Sequence, residues 1–224
     1  MTTPAHHDPV SKWTWVPIRS LSPRHRSRIA AHLTSLDEGD RYLRFGYPAT
    51  DTQIAKYVDL LDFDQDEVFG IFNRRLELIA LAHLAYGAQL PDVEDGGRMA
   101  EFGVSVLPKA RGRGFGGRLF EHAMLHARNR GVQTLFIHAL SENAAMLKIA
   151  RNAGATVERD GPESEAWLRL PPDTLASQVE QVVGDHAAEI DYQLKLQATR
   201  IQDILDTISE VKAHISDRSH IAGQ

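Results

Sequence analysis

Arg111-Gly112-Arg113-Gly114-Phe115-Gly116-Gly117 stands between the pattern of a strand and the pattern of a helix. Before it, residues 98–107 alternate, with Phe102, Val104 and Val106 on one face, and Pro108 ends the strand. After it, Leu119, Phe120, Ala123, Met124 and Ala127 recur at helical spacing, and Gly131 closes the helix as a C-cap. Glycines at such a junction let the backbone turn tightly and let a bulky anion approach. The N–H groups freed at the helix start point outward, and the helix dipole favours negative charge there. Lys109, Arg111, Arg113 and Arg118 add positive charge. The stretch therefore reads as a phosphate or pyrophosphate cradle. A merely flexible turn rarely ends a buried strand and opens an amphipathic helix.

Working outward, residues 132–140 predict a buried strand, 143–152 a short helix stopped by Ala153-Gly154, and 156–158 and 166–170 the last strands. Upstream, residues 13–18 predict a short opening strand. Ser22-Pro23 starts a helix carrying Ile29, Leu33 and Leu36, and residues 40–45 and 53–61 suggest two more. Apolar runs at 67–72 and 76–86 flank Asn73-Arg74-Arg75 as a hairpin, and 89–97 is a Pro/Asp/Gly loop. Residues 1–172 thus form a mixed α/β body, punctuated by Pro171-Pro172, and 173–224 form a separate helical tail. In the tail Val183, Ala187, Ile190, Leu194, Gln197, Ile201, Ile204, Ile208, Val211 and Ile215 follow an alternating four/three spacing, a heptad-like seam that Gly184 could interrupt. A helix of roughly 60 Å, at ~1.5 Å per residue, must bury that stripe on its own body or on a second copy. The reading adopted is a homodimer through the tail.

Composition narrows the function. The 224 residues are 42% hydrophobic and 25% charged, which is globular. The absence of Cys excludes disulfides, thiolate-bound zinc, iron–sulfur clusters and thiol catalysis. Residues 1–172 carry 21 Lys and Arg against 21 Asp and Glu, and the tail 4 against 9, so the whole net charge of -5 lies in the tail. A neutral body argues against nucleic-acid binding. Residues 1–8 have no apolar core of a signal peptide, and no apolar run approaches the roughly 18 residues of a membrane helix. No membrane partner and a cytoplasmic location are expected.

Gly112, Gly114 and Gly117 formally match the dinucleotide fingerprint G-x-G-x-x-G, but the loop lies mid-chain, with no second mononucleotide half downstream. No Gly-Lys-Ser/Thr of a Walker motif follows. The stretch from Val104 through Leu119 instead resembles the acetyl-CoA signature of the GNAT superfamily of N-acetyltransferases, whose Arg/Gln-x-x-Gly-x-Gly/Ala falls on Arg111, Gly114 and Gly116. Ser141-Glu142-Asn143 resembles the next motif, where an Asn commonly meets the cofactor. The resemblance is specific over roughly residues 99–155. It implies a GNAT-like mixed central sheet with a splayed strand pair flanked by helices, beyond which the long C-terminal helical extension lies. It implies acetyl-CoA as donor co-substrate, its pantetheine arm on the backbone of Val104, Ser105 and Val106 and its pyrophosphate on Arg111, Gly112, Arg113, Gly114, Phe115, Gly116 and Gly117, with Asn143 as a further contact. The Val106 N–H would polarise the thioester carbonyl, and an amine would attack it directly.

A lysine-like amine has a pKa near 10.4 and needs a base at neutral pH. Glu101 is the best-placed carboxylate, and Ala100-Glu101-Phe102 with Arg41-Tyr42-Leu43-Arg44-Phe45 resembles a bacterial protein-lysine acetyltransferase subgroup in which such a Glu is the base. The Tyr that often serves the family as general acid is matched by Ala150. His138 and His83 read as satisfied core histidines, Tyr42 and Phe45 as helix core, and His6 and His7 as terminal residues without a metal. Asp59, Asp62, Asp64, Asp66 and Glu67 read as a solvated acidic loop. No metal site is expected. The expected activity is transfer of acetyl from acetyl-CoA to a primary amine, on a protein lysine or a small molecule. The alternative is an acyl-CoA-binding sensor or scaffold with little turnover, which Ala150 favours and Glu101 and Asn143 oppose.

Overall fold

The computed structural model describes residues 16–89, 98–172 and 181–196. Seven strands form one sheet in the order β1-β2-β3-β4-β5-β7-β6. They are β1 (Arg19–Ser20), β2 (Glu67–Phe72), β3 (Leu78–Gln89), β4 (Arg98–Val106), β5 (Thr134–Leu140), β6 (Thr156–Asp160) and β7 (Glu163–Arg169). A 3-10 turn at Pro23–His25 leads into α1 (Arg26–Thr34), followed by α2 (Glu38–Phe45), α3 (Asp51–Leu60), α4 (Phe115–Asn129) and α5 (Ala144–Asn152). A last helix, α6, runs over 181–196.

The β2–β3 hairpin closes where expected. The Asn73 Oδ1 accepts from the N–H groups of Arg75 and Glu77, both at 2.9 Å. The opening strand differs from expectation: it is two residues, Arg19–Ser20, and residues 13–15 lie outside those described. Pro17 has no N–H to give a ladder, and pairing starts only two residues later, continued by the Leu21 N–H to Val68 O bond at 2.7 Å.

Alternation along β4 assigns the two faces of the sheet. Phe102 stacks edge-on against Phe120 of α4, with ring centroids 5.0 Å apart. Two positions of opposite parity meet the other layer: Ser105 bonds His32 of α1 at 2.8 Å, and the Arg44 guanidinium of α2 lies 2.9 Å from where a Cβ on Gly103 would stand. Helices α4 and α5 thus cover one face and α1 to α3 the other. Phe69, Phe102, Phe120, Leu119, Leu135 and Ile137 are fully buried between sheet and α4. Burial of such side chains is worth about 1.5–3 kcal/mol each.

Two expectations about burial are corrected. His138 is not a core histidine. It shares the face of β5 that α4 does not cover, its side chain is 38% exposed, and it stands 3.9 Å from Glu163. Tyr42 is not helix core, since it is exposed and α2 has no buried residue.

Helix α6 lies on its own body through a face other than the apolar seam. Tyr192 is buried against Phe72, beneath the Arg19 guanidinium at 3.8 Å, and its hydroxyl accepts from Arg28 at 2.9 Å. Glu189 forms an ion pair with Arg19 at 2.6 Å. The seam residues Val183, Ile190 and Leu194 are each 62% exposed. Gly184 lies within the helix without interrupting it. Seam positions from Gln197 onward lie outside the described residues.

Candidate acetyl-transfer site

The central feature is a parting of two strands. Parallel β4 and β5 are in register only at Met99↔Thr134, Ala100↔Leu135 and Glu101↔Phe136, whereas β4 stays paired with β3 up to Ala80↔Val106. From Phe102 onward β4 therefore has a free edge towards β5. The Leu107 N–H donates to Ile79 O of β3 at 3.0 Å. Backbone direction alternates along a strand, so the N–H groups of Val104 and Val106 turn away from β3 and into the gap. The Val106 carbonyl points the same way and accepts from Arg111 Nε at 3.2 Å. Ser105 differs: its side chain is buried on the opposite face, where it bonds His32.

The glycine loop closes one end of the gap. Pro108–Ala110 forms a 3-10 turn, and Gly114 caps α4 with φ 75°, a left-handed conformation that glycine adopts without strain. Gly112, at φ 73°, is similar. No atom lies within 4 Å of a Cβ placed on Gly112, Gly114 or Gly117, so the backbone there is open to a ligand. The first N–H groups of α4 have no partner within the helix, and they start at Phe115, Gly116 and Gly117. The loop thus fits a pyrophosphate. Two of its side chains have neighbours of their own: Arg113 lies over the Phe115 ring at 4.7 Å, and Arg111 pairs with Asp40 of α2 at 2.5 Å. Asn143 is the N-cap of α5, its Oδ1 accepting from Met146 N–H at 3.1 Å, so part of its side chain serves the helix. Ala150 is fully buried and brings no hydroxyl.

Glu101 is exposed at the last rung before the strands part. Its neighbours on that face form a directed chain. A carboxylate only accepts, so the His83 Nε2–H donates to Asp66 Oδ2 at 3.0 Å. His83 Nδ1 then accepts the Tyr57 hydroxyl proton at 2.9 Å, and the Tyr57 oxygen accepts from Arg44 at 3.0 Å. Burial lowers the His83 pKa despite the Asp66 carboxylate, and the nearby Arg44 charge acts with it. His83 is thus satisfied, as expected. The acidic run is not one solvated loop: Asp66 anchors this chain, and Glu67 accepts from Tyr86 at 2.6 Å. Sequence reading missed Tyr57 and Asp40 and gave Arg44 a place in a motif but no partner, because their partners lie on other elements and no spacing announces them.

The sequence model of the acetyltransferase (GNAT) family matches residues 36–155. The chain belongs to the GNAT family. It is an acetyltransferase that uses acetyl-CoA as donor. Among solved structures, the GNAT fold is shared with the GNAT domain of S. lividans PAT, at 23% identity and a TM-score of 0.57 over 68% of this chain and 89% of that one. It is also shared with the ribosomal-protein-alanine N-acetyltransferase of Brucella melitensis, at 19% identity and a TM-score of 0.53 over 68% of this chain and 99% of that one. The spermidine N-acetyltransferase of Vibrio cholerae, solved with CoA and spermine, aligns at 16% identity and a TM-score of 0.53 over 68% of this chain and 94% of that one. No curated protein matches the sequence. GNAT membership puts the chain among enzymes rather than silent acyl-CoA sensors. Among the described residues, no helix is long and apolar enough to cross a membrane.

Proposed function

We propose that this GNAT enzyme acetylates the ε-amine of a protein lysine by direct attack on the thioester, with Glu101 as general base. The observation that carries the reading is the exposed Glu101 carboxylate at the rung where β4 and β5 part. Acetyl-CoA supplies a thioester whose carbonyl carbon accepts the amine and whose CoA thiolate leaves. The chain's part is to bind, orient and move a proton. The open backbone of Gly112, Gly114 and Gly117, with the first N–H groups of α4 and the cations of Arg111, Arg113 and Lys109, would hold the pyrophosphate. The gap-facing N–H groups of Val104 and Val106 would hold the arm, with Phe115 and Asn143, at the starts of α4 and α5, as further contacts. The Val106 N–H is the donor for charge developing on the carbonyl oxygen, a catalytic term of roughly 3–4 kcal/mol where measured in other enzymes.

At pH 7 an amine of pKa about 10.4 must give up a proton at a cost of about 4–5 kcal/mol. Glu101 takes that proton directly or through one water. With Ala at position 150, the thiolate leaves without a tyrosine acid and takes its proton from solvent. Tyr42 and Tyr47, 37% and 46% exposed on and just after α2, which packs on β4 and β5, would offer a protein acceptor an aromatic contact surface. We propose also that residues 173–224 act as a distinct dimerising extension.

Thiol release from acetyl-CoA, measured against lysine peptides and a panel of polyamines and amino acids, tests the acceptor. A higher kcat/KM on lysine peptides is expected. Turnover of a small amine with none on any peptide overturns the lysine reading.

A further inference from the structure

Outside the acetyl-transfer site, three side chains from two elements converge beneath the tail helix. His122 and His126 lie one turn apart on α4, and Asp185 comes down from α6. Two histidines at i and i+4 share one helix face, the spacing by which helices present paired imidazoles to a metal. One ligand atom from each of the three residues lies within 4.8 Å of the others. The Nε2 atoms of His122 and His126 are 4.0 and 3.7 Å from the same Asp185 oxygen, Oδ1.

We propose that His122, His126 and Asp185 form a three-ligand site for a divalent transition metal of the zinc class that clips α6 to the acetyltransferase body. The primary reason is polar accounting. His122 Nε2, His126 Nε2 and Asp185 Oδ1 are all buried atoms without a hydrogen-bond partner, and the His126 side chain is only 2% exposed. Buried polar atoms are normally satisfied, and these three face one another. With Nε2 unprotonated on both imidazoles, three electron pairs converge there, an arrangement that a cation between them would satisfy. Bonds of 2.0–2.1 Å to a tetrahedral ion imply ligand atoms about 3.3 Å apart, so the observed separations close with side-chain shifts of under an ångström.

The surroundings suit an ion. His126 Nδ1 stands 3.2 Å from Glu67 Oε2. A carboxylate there fixes the proton on Nδ1 and turns the Nε2 lone pair to the pocket, the usual support of a metal-bound histidine. Glu67 is itself held by the Tyr86 hydroxyl at 2.6 Å and by Arg130, 3.7 Å from Oε1. Gln181 Oε1 accepts from the Asn129 amide at 2.6 Å. The Phe69 ring edges against both imidazoles, each 4.7 Å away, and keeps that side dry. On the other side His122 lines a groove of about 550 Å³ with Arg118, Arg128 and Gln181, the side from which an ion and a fourth-ligand water would enter. Two imidazole nitrogens and one carboxylate oxygen match zinc, cobalt or nickel better than calcium or magnesium.

The rival occupant is a proton. Burial works against a charged His126, yet its carboxylate neighbours Asp185 and Glu67 raise its pKa to about 9, while burial and the neighbouring His126 lower that of His122 to about 4. The Nε2 atoms of His126 and His122 stand 3.7 and 4.0 Å from Asp185 Oδ1, so a proton on either is too far to close a hydrogen bond to it. A metal satisfies all three.

The test uses the untagged full chain, stripped with a chelator and titrated with Co2+ and then Zn2+. One equivalent of Co2+ should give the visible bands of a four-coordinate nitrogen–oxygen site, and Zn2+ should displace it and raise Tm. Asp185→Asn and His122→Asn should each weaken binding at least about tenfold, with CoA-thioester affinity retained as a measure of intact fold. No saturable one-equivalent binding, or equal binding in both variants, overturns the site and leaves His126 as a buried imidazolium between two carboxylates.

Discussion

Glu101 and His32 sit on the same face of β4 and its neighbours, yet solvent treats them differently. Glu101 is exposed at the rung where β4 and β5 part. Removing its charge while keeping its shape, as Glu101→Gln, should lower kcat by roughly 100-fold or more and leave acetyl-CoA affinity within about twofold. Steady-state kinetics beside calorimetry separates the two. Unchanged turnover would reduce Glu101 to a surface charge. His32 is buried, with Nδ1 at 2.8 Å from Leu78 O and Nε2 at 2.8 Å from Ser105 Oγ. A carbonyl only accepts, so Nδ1 carries the proton and Nε2 accepts from the serine. Burial lowers the His32 pKa to about 4, and burial with the Arg19 and Arg24 charges does the same to His25. The unfolded chain takes these protons near pH 6.5 and the folded one only near 4. The stability that these two histidines contribute is therefore complete above pH 6.5 and falls as the pH drops from 6.5 to 4, by at most about 1.4 kcal/mol per pH unit for each. His32→Gln can keep both hydrogen bonds without titrating, so its urea midpoint should depend less steeply on pH in that window.

At the scale of elements, α5 carries a residue, Asn143, whose capping role is seen and whose ligand role is proposed. Asn143 caps the helix with its Oδ1, and a cap is worth about 1 kcal/mol. Asn143→Ala should therefore lower both stability and CoA affinity. Asp is as good a cap as Asn but brings no amide donor and adds a negative charge near the expected phosphates. Asn143→Asp should keep Tm within about 2 °C and weaken CoA binding at least about tenfold. Equal CoA affinity in Asn143→Asp and wild type would confine Asn143 to capping. Helix α2 belongs to the same scale. It has no buried residue, so its position rests on specific bonds. Arg41 donates to Leu36, Ala49 and Thr34 carbonyls at 3.0, 2.9 and 2.6 Å, and Asp40 meets Arg111 of the glycine loop. One ion pair thereby links α2, on the side proposed for the acceptor, to the loop proposed for the pyrophosphate.

For the whole molecule, the decisive feature is that α6 has two apolar faces. One docks Ala188 and Tyr192 on the body, and the other leaves Val182, Val183, Ile190 and Leu194 exposed. Monomers seldom keep an apolar stripe of this kind in water. The full chain is expected to be a dimer at micromolar concentration by light scattering. Deleting the tail would also uncover the surface beneath Tyr192, so point changes make the cleaner test. Ile190→Glu with Leu194→Glu should give a folded monomer, its circular dichroism unchanged. A dimer that persists in this variant would place the interface on the body.

Much of the strand–loop–helix unit was legible because its signals are local. A strand alternates, glycine reaches a left-handed turn, and an amphipathic helix repeats, all within a few neighbours. For that reason the glycine loop, the hairpin at Asn73 and the bounds of β4 stand where residue patterns put them. The free edge of β4, to which the gap owes its existence, follows from the register between β4 and β5, and register is a contact between strands separated by a whole helix. Tertiary structure alone exposed His138 and Tyr42, because periodicity tells which residues share a face but not whether another layer covers it. It alone brought Asp185 to His122 and His126 across about 60 positions. The tail seam is the clearest division: its period was written in the sequence, but which face of α6 meets the body was settled by Arg19, Phe72 and Tyr192 packing together from distant parts of the chain.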